Sequence, residues 1–337
     1  MKGLILCAGQ GKRLQPFTYA RPKCMVPVNG EPIIVSIINK MMSIGVHDIG
    51  IVLNTSQESV RELLGSGEAY GATLTYLLQE KALGIAHAVK SARSFIQDES
   101  FFLMLGDNLI EGDLQPLIDL MSDGKSAAAL LLTRVENPYD FGVVEVSDNK
   151  IVRLEEKPKV PRSDLVIVGA YVFGSGIWSI LDQLIPSKRG EYELSDALQS
   201  LIDQGQHVDY SITTEPFFDI GSPERWLSAN RYKMSKDKME RNSEHLFGNT
   251  DVVINPPVQI DPSAQITQSV VGPYVYIGPD CVVENCRIEN SILTDHVQIS
   301  HVFAQDSIFG SNTKFAGSVN KTKPSKFIMG DMSIVKD

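Results

Sequence analysis

The sequence predicts an α/β domain built on a largely parallel sheet, followed by a parallel β-helix. Two observations carry this prediction. Over the first two thirds of the chain, short apolar runs alternate with amphipathic segments, the pattern of strands joined by helical crossovers. After about residue 243 helical periodicity stops, and apolar residues recur every five or six positions.

Each element follows in order. The run KGLILCAG reads as a short buried strand that ends at Gly9. Residues 32–45 have helical periodicity, with Gly45 as the C-cap. Residues 48–54 read as a strand, 56–65 as a helix opened by a capping-box-like Ser56–Ser59 region, and 72–79 as a strand. A helix over 84–96 and a strand ending near Asp107 come next. Four mostly strand segments then cover 127–135, 141–146, 150–158 and 165–174. Two amphipathic helices, over 193–205 and 224–241, close the first domain. Beyond them Ile254, Ile260, Ile266, Val271, Ile277, Val283 and Ile288 mark a repeat of seventeen residues made of three short sides, punctuated by prolines and glycines. Such a hexapeptide rhythm predicts stacked coils. It runs regularly to about Ile299, enough for roughly three coils. The expected domains are therefore 1–243 and 244–337.

Composition narrows the function. The 337 residues carry a net charge of −10, so the global basic footprint of a nucleic-acid binder is absent. The first forty residues differ: Lys2, Lys12, Arg13, Arg21, Lys23 and Lys40 face only Glu31, a basic island suited to one anionic ligand. Cys7, Cys24, Cys281 and Cys286 are too few for a disulfide framework and lack zinc spacing, so they read as reduced thiols. No apolar run reaches the ~18 residues of a membrane span, and the opening run is too short for a signal peptide. A soluble cytoplasmic protein with no membrane partner is expected.

The stretch LCAGQGKRLQPF is the candidate ligand loop. Its glycines, Gly9 and Gly11, precede Lys12 and Arg13, yet it fits neither a P-loop nor a dinucleotide fingerprint. A strand ending in a glycine-bearing turn still offers backbone N–H groups to an anion, and Arg13 adds a planar donor fork. Ten residues on, Pro22 and Pro27 hold Lys23 in a rigid extended setting. Together Gly9 to Lys23 spell G-x-G-x-R-L-x-P-x-T-x-x-x-P-K. This resembles the signature of the sugar-phosphate nucleotidyltransferases, also called nucleoside-diphosphate-sugar pyrophosphorylases. Further segments match in order: LLQEKALGIAHAV, MLGDN, DFGVVEV, LEEKP, VGAYVF, RGEYELSDAL and FFDIGSPERW. Within the family the set most resembles long-form glucose-1-phosphate thymidylyltransferases.

The resemblance implies a Rossmann-like mixed, mostly parallel sheet and a C-terminal left-handed β-helix. It implies transfer of a nucleotidyl group from a nucleoside triphosphate, dTTP or UTP, to a sugar 1-phosphate, with Mg²⁺ as cofactor. Catalytic roles fall to Arg13, Lys23 and Lys157; nucleotide contacts to Leu6, Ala8, Gly9, Gly11, Lys12, Gln79, Gly84 and Asp107. Sugar-phosphate contacts fall to Gly142, Glu156, Lys157 and Gly169, and metal ligation to Asp107 and Asp219. Glu191 and Asp196 are structural or sugar-facing. Two positions depart from the pattern: Lys12 stands where the family has Thr or Ser, and Phe141 where some members carry Tyr. Three alternatives stay open: a uridylyltransferase, an acyltransferase using His296 or His301 on the coils, and a catalytically silent regulatory subunit. Open coil ends predict a homo-oligomer.

Overall fold

The first strand, Lys2–Leu6, is apolar on both faces, and that places it in the middle of a sheet. A computed structural model describes residues 1–236, 251–318 and 323–336. The chain forms two compact units, Met1–Gly9 with Ile34–Phe217, and Gln10–Ile33 with Phe218–Asp337. The domain boundary expected at residue 243 lies outside the described residues.

In the first unit, strands Phe101–Leu105, Lys2–Leu6, Asp48–Leu53 and Thr73–Leu78 lie side by side and parallel. Leu4, Ile5, Ile49, Ile51, Val52, Phe101, Phe102 and Leu103 are fully buried there. Each fully buried aliphatic or aromatic side chain contributes about 1.5–3 kcal/mol, so this strip dominates the unit's stability. The nine-residue strand Leu165–Phe173 extends the sheet: one edge pairs antiparallel with Phe101–Leu105 and, at Val166, with Gly142–Ser147, and the opposite edge takes Ala128–Arg134. Lys150–Glu156 then pairs antiparallel with Gly142–Ser147. The sheet is thus mixed, with parallel strands at its centre and helices flanking it. The helix expected from Ser56 begins instead at Glu58, because the Ser56 hydroxyl is taken by Asn54 Oδ1 at 2.7 Å. The helix expected over 84–96 is interrupted at Ala92, giving Ile85–Ser91 and Arg93–Ile96.

In the second unit, helix Pro223–Lys236 and the coils grip the segment 10–33. Phe17 meets Trp226 edge to face at 5.2 Å, and Trp226 Nε1 donates to Pro27 O at 2.6 Å. The Arg21 guanidinium donates to Ser311 Oγ at 2.6 Å and to Asp331 Oδ2 at 3.3 Å. Residues 237–241 of the expected last helix lie outside the described residues.

The coils build the expected left-handed parallel β-helix as three parallel sheets, with four, five and five strands. Val271, Ile277, Val283 and Ile288 stack inside at 0% exposure, as the rhythm requires. The three-coil expectation undercounts, because strands continue through Ile334–Lys336. Val258 pairs with Val275, but Val275 pairs with Ser291 and Ile308 with Ile328, so the step first shortens and then lengthens. Ala304, Phe309 and Phe315 fill the later core where Ile and Val filled the earlier one. Asn, Asp, His and Gln occupy most of the left-handed corners, with Tyr274 and Met332 at two others; His296 and His301 stand there at φ 57° and 53°. Their backbone N–H groups donate to Pro279 O and Glu284 O on the preceding coil. The corner conformation favours such residues and accounts for the placement of both histidines.

All four cysteines are buried and lie outside any disulfide. Burial pushes the Cys281 thiol up to about 12 and the Cys286 thiol up to about 11, which leaves both unreactive. Among the described residues no helix is long and apolar enough to cross a membrane.

Candidate active site

The phosphate-side residues come together in the second unit. Gly11 has φ 62°, and a side chain there would press on Thr18 Cγ2 at 2.8 Å, so only glycine fits this turn. Thr18 Oγ1 locks it by donating to Gly11 O at 2.9 Å. The turn passes into a short 3₁₀ segment, Lys12–Leu14, that aims Arg13 outward at 58% exposure. A second such segment, Lys23–Met25, buries Lys23 to 11% exposure beside Asp219. Lys23 Nζ donates to Asp219 Oδ1 at 3.2 Å, and Arg13 lies 3.7 Å from Oδ2. Arg225, from the first turn of helix Pro223–Lys236, donates to Oδ2 at 2.6 Å. Sequence reasoning missed Arg225; its signal was only its place two residues after Pro223, six after the aspartate. Three cations thus gather on one carboxylate beside a glycine turn, an arrangement suited to a polyanion. The Lys12 side chain is exposed and makes no hydrogen bond or ion pair among the described residues.

The remaining predicted residues lie in the first unit. The chain leaves the sheet at Leu6, and Gly106 N donates to Leu6 O at 2.9 Å. Ala8 is buried and its carbonyl accepts from Asn54 Nδ2 at 3.1 Å; the Cys7 carbonyl accepts from Gln57 Nε2 at 2.8 Å. These two amides fix the exit of the strand, a role no local motif announced. Gly9 borders open space. Asp107 follows Gly106 at the end of strand Phe101–Leu105 and is half-buried.

Gln79 ends strand Thr73–Leu78, and its side-chain nitrogen lies 3.3 Å from Gly84 O and 3.0 Å from His87 Nδ1. Gly84 has φ 110°, and a side chain there would strike Tyr192 O at 2.6 Å. Gly169 lies at a register shift of the long strand, over Asn108, whose amide donates to Val168 O at 2.8 Å.

Glu156 ends strand Lys150–Glu156, directly opposite Gly142, where any side chain would crowd its carboxylate at 3.2 Å. Ser195 Oγ donates to Glu156 Oε2 at 3.2 Å, while Lys157 and Arg189 each stand 3.8 Å from Oε1. Burial nevertheless raises the Glu156 carboxyl above the usual range, against the pull of Lys157. Glu193, at 4% side-chain exposure, accepts from Ser187 Oγ at 3.0 Å and meets Arg189 at 3.3 Å. Burial raises its carboxyl too. Arg189 and Glu193 were not singled out from sequence; Glu191 and Asp196 were, and Glu191 lies 3.8 Å from Arg189. Burial pushes the Tyr171 hydroxyl up, and the carboxylates of Glu156 and Asp107 both add to that shift.

Among the described residues no cluster of three or more His, Cys, Asp or Glu side chains forms a self-contained metal cage. Asp107 and Asp219 are hard oxygen donors. Carboxylate donors completed by substrate phosphates and water suit Mg²⁺, which rarely uses an all-protein cage.

Comparison with known proteins gives the family of the chain. Residues 2–236 match the family model described as nucleotidyl transferase, and residues 254–337 match the GMPPB C-terminal domain. The chain is 32% identical to the low-salt glycan biosynthesis nucleotidyltransferase Agl11 of Haloferax volcanii, over 100% of both chains. It is 33% identical to a glucose-1-phosphate thymidylyltransferase of Streptomyces griseus, over 99% of this chain and 98% of that one. The bifunctional protein GlmU of Methanococcus maripaludis is 35% identical, over 94% of this chain and 79% of its own length. Among solved structures, a Bacillus anthracis protein assigned as a glucose-1-phosphate thymidylyltransferase superposes with a TM-score of 0.66 at 32% identity, covering 72% of this chain and 98% of that one.

Proposed function

The chain belongs to the nucleotidyl transferase family, and on that premise we propose that it couples a nucleoside triphosphate to a sugar 1-phosphate, with dTTP and glucose 1-phosphate as the substrates. A phosphate oxygen of the sugar 1-phosphate attacks the α-phosphorus. The new P–O bond forms as the bond to the α–β bridging oxygen breaks, and pyrophosphate leaves with that electron pair. A phosphate monoester has a second pKa near ~6, so at neutral pH the nucleophile is already a dianion and needs no protein base. The task left to the protein is to bring two polyanions into line and hold them.

The observation that supports this reading most is the convergence of Lys23, Arg13 and Arg225 on one carboxylate beside the Gly11 turn. In this reading Arg13 neutralises the departing pyrophosphate and Lys23 steadies the α-phosphate. Lys157 holds the sugar phosphate, and Glu156 accepts from sugar hydroxyls. Gln79 and Gly84 meet the base. Asp107 and Asp219 are the carboxylates that would each donate an oxygen to Mg²⁺, which when bound would neutralise charge on phosphate oxygens. The open coil ends suit a homo-oligomer, which light scattering would check: a monomeric mass refutes it.

A matrix of nucleoside triphosphates against sugar 1-phosphates, read as pyrophosphate release with Mg²⁺, tests the reading. Turnover is expected with dTTP and glucose 1-phosphate. A preference for UTP above about tenfold redirects it to a uridylyltransferase, since the two bases differ by one methyl group, worth only ~1–3 kcal/mol. Silence with every pair overturns it.

A further inference from the structure

We propose that His87 is a positioning residue that fixes which end of the Gln79 amide faces the nucleotide, and so selects bases that carry an N–H on the edge presented to it. The inference rests on the nucleotidyl-transfer reading above and on Gln79 as the base contact.

The argument starts from donors and acceptors. The nitrogen end of the Gln79 amide lies 3.3 Å from Gly84 O. A carbonyl can only accept, so this end must be the NH₂ group. The same nitrogen lies 3.0 Å from His87 Nδ1. Its second proton therefore points at Nδ1, which must carry a lone pair. His87 is thus the neutral tautomer protonated on Nε2. Both N–H bonds of the amide are now used within the protein. Gln79 Oε1 has no protein donor among the described residues, yet it is not sealed from solvent. It stands as an acceptor. Thymine and uracil offer an N–H at N3, which this oxygen complements. Cytosine has a lone pair at N3 and is repelled.

His87 is itself held in place. It lies on helix Ile85–Ser91, and its ring faces that of Tyr192 at 6.2 Å. Tyr192 in turn is tied to the Gln79–Gly84 loop: Tyr192 N donates to Leu83 O at 2.8 Å, and Ala86 N to Tyr192 O at 3.0 Å. The nearby charges, Lys90 and Asp182, pair with each other at 2.9 Å, and neither supplies a competing bond to Nδ1. Without the Nδ1 acceptor, one N–H of the buried amide loses its partner. The amide is then free to turn over and show its NH₂ group to the ligand.

The test is steady-state kinetics with dTTP, UTP and CTP against glucose 1-phosphate and Mg²⁺, for the full chain and three variants. His87→Phe keeps a ring against Tyr192 but removes the acceptor. His87→Ala removes it without overpacking. His87→Asn returns an acceptor oxygen near the position of Nδ1. The two acceptor-less variants are expected to narrow the dTTP-to-CTP preference about tenfold through KM, with kcat for dTTP within about twofold. His87→Asn is expected to restore the preference to within about threefold. An unchanged preference in Phe and Ala overturns the inference. So does an equal loss of kcat with every nucleotide, or failure of Asn to rescue. A wild-type protein that turns over no nucleotide overturns the functional reading, and the inference with it; a wild-type preference for dTTP that survives in both acceptor-less variants overturns the inference alone.

Discussion

The phosphate-side and sugar-side groups use the same ingredients and reach opposite electrostatic states. On the phosphate side, Asp219 is met by Lys23, Arg13 and Arg225, with contacts down to 2.6 Å. On the sugar side, Glu156 has Lys157 and Arg189 no nearer than 3.8 Å and Glu193 close by, and desolvation raises its carboxyl. Three cations drawn to one carboxylate suit a ligand that brings negative charge. A buried carboxylate with distant cations keeps lone pairs that accept hydrogen bonds from neutral hydroxyls. Proximity of the counter-charge, rather than its presence, separates the two.

The largest expected effect comes from removing the buried cation of the phosphate side. Lys23→Ala should lower kcat/KM by about 10²–10³-fold, the range seen when one preorganised electrostatic contact to a transition state is lost. Pyrophosphate release under limiting triphosphate measures it. An effect under about tenfold would mean that Arg13 and Arg225 carry the charge by themselves, and the contrast between the two groups would blur.

The phosphate side is also held from a distance. Arg21 and Asp331 are 16% and 8% exposed and 3.3 Å apart, so the last coils anchor the segment that bears Lys23. Arg21→Ala leaves the Asp331 carboxylate with little solvent, at a cost of about 2–3 kcal/mol. Thermal unfolding should show a Tm lower by about 5 °C. Asp331→Asn added to Arg21→Ala should cost much less than the sum of the two, because the partners share one interaction. Additive losses would show that the coils do not act on this segment through the ion pair.

That anchor illustrates what could be read from the chain alone. Alternating strand and helix patterns are short-range, so the first sheet and helix Ile33–Ser43 were legible, as was the glycine at position 11 that a left-handed turn demands. The meeting of Lys23 with Asp219 followed only from the family resemblance. Contacts between residues hundreds of positions apart leave no periodic trace. Arg21 with Asp331, and Asn54 and Gln57 on the carbonyls of Ala8 and Cys7, were therefore invisible. The last coils were missed for a different reason. A rhythm counted on Ile and Val breaks where alanine and phenylalanine take over the core and the step changes length. Arg225 was hidden because an arginine in the first turn of a helix reads as solvated surface.

On the sugar side the expected effects are smaller and of mixed sign. Glu156 has a raised carboxyl in the folded chain. A raised acid contributes stability that is complete below its unfolded value, near ~4.3, and is lost as pH rises through the folded value. At neutral pH the ionised form therefore weakens the fold. Glu156→Gln should raise Tm by about 1–3 °C at pH 7.5 and flatten the loss of Tm as pH climbs from 4. The same change should raise KM for the sugar phosphate about tenfold, because a charged acceptor is replaced by a neutral one. A lower Tm at pH 7.5 would show that Lys157 and Arg189 stabilise the carboxylate more than burial penalises it.

Lys12 marks the lower limit of the contrast. It adjoins Arg13, but its side chain is exposed and makes no polar contact among the described residues, so its charge is screened by solvent. Lys12→Ala should leave Tm within about 1 °C and change KM for the triphosphate less than about threefold at 0.15 M salt. At low salt, where the Debye length grows to ~30 Å, the ratio of variant to wild-type KM should widen, since a steering charge acts over that distance. Loss of more than about tenfold at both salt concentrations would place Lys12 on the phosphates beside Arg13. The phosphate side would then depend on an exposed lysine as much as on its buried one.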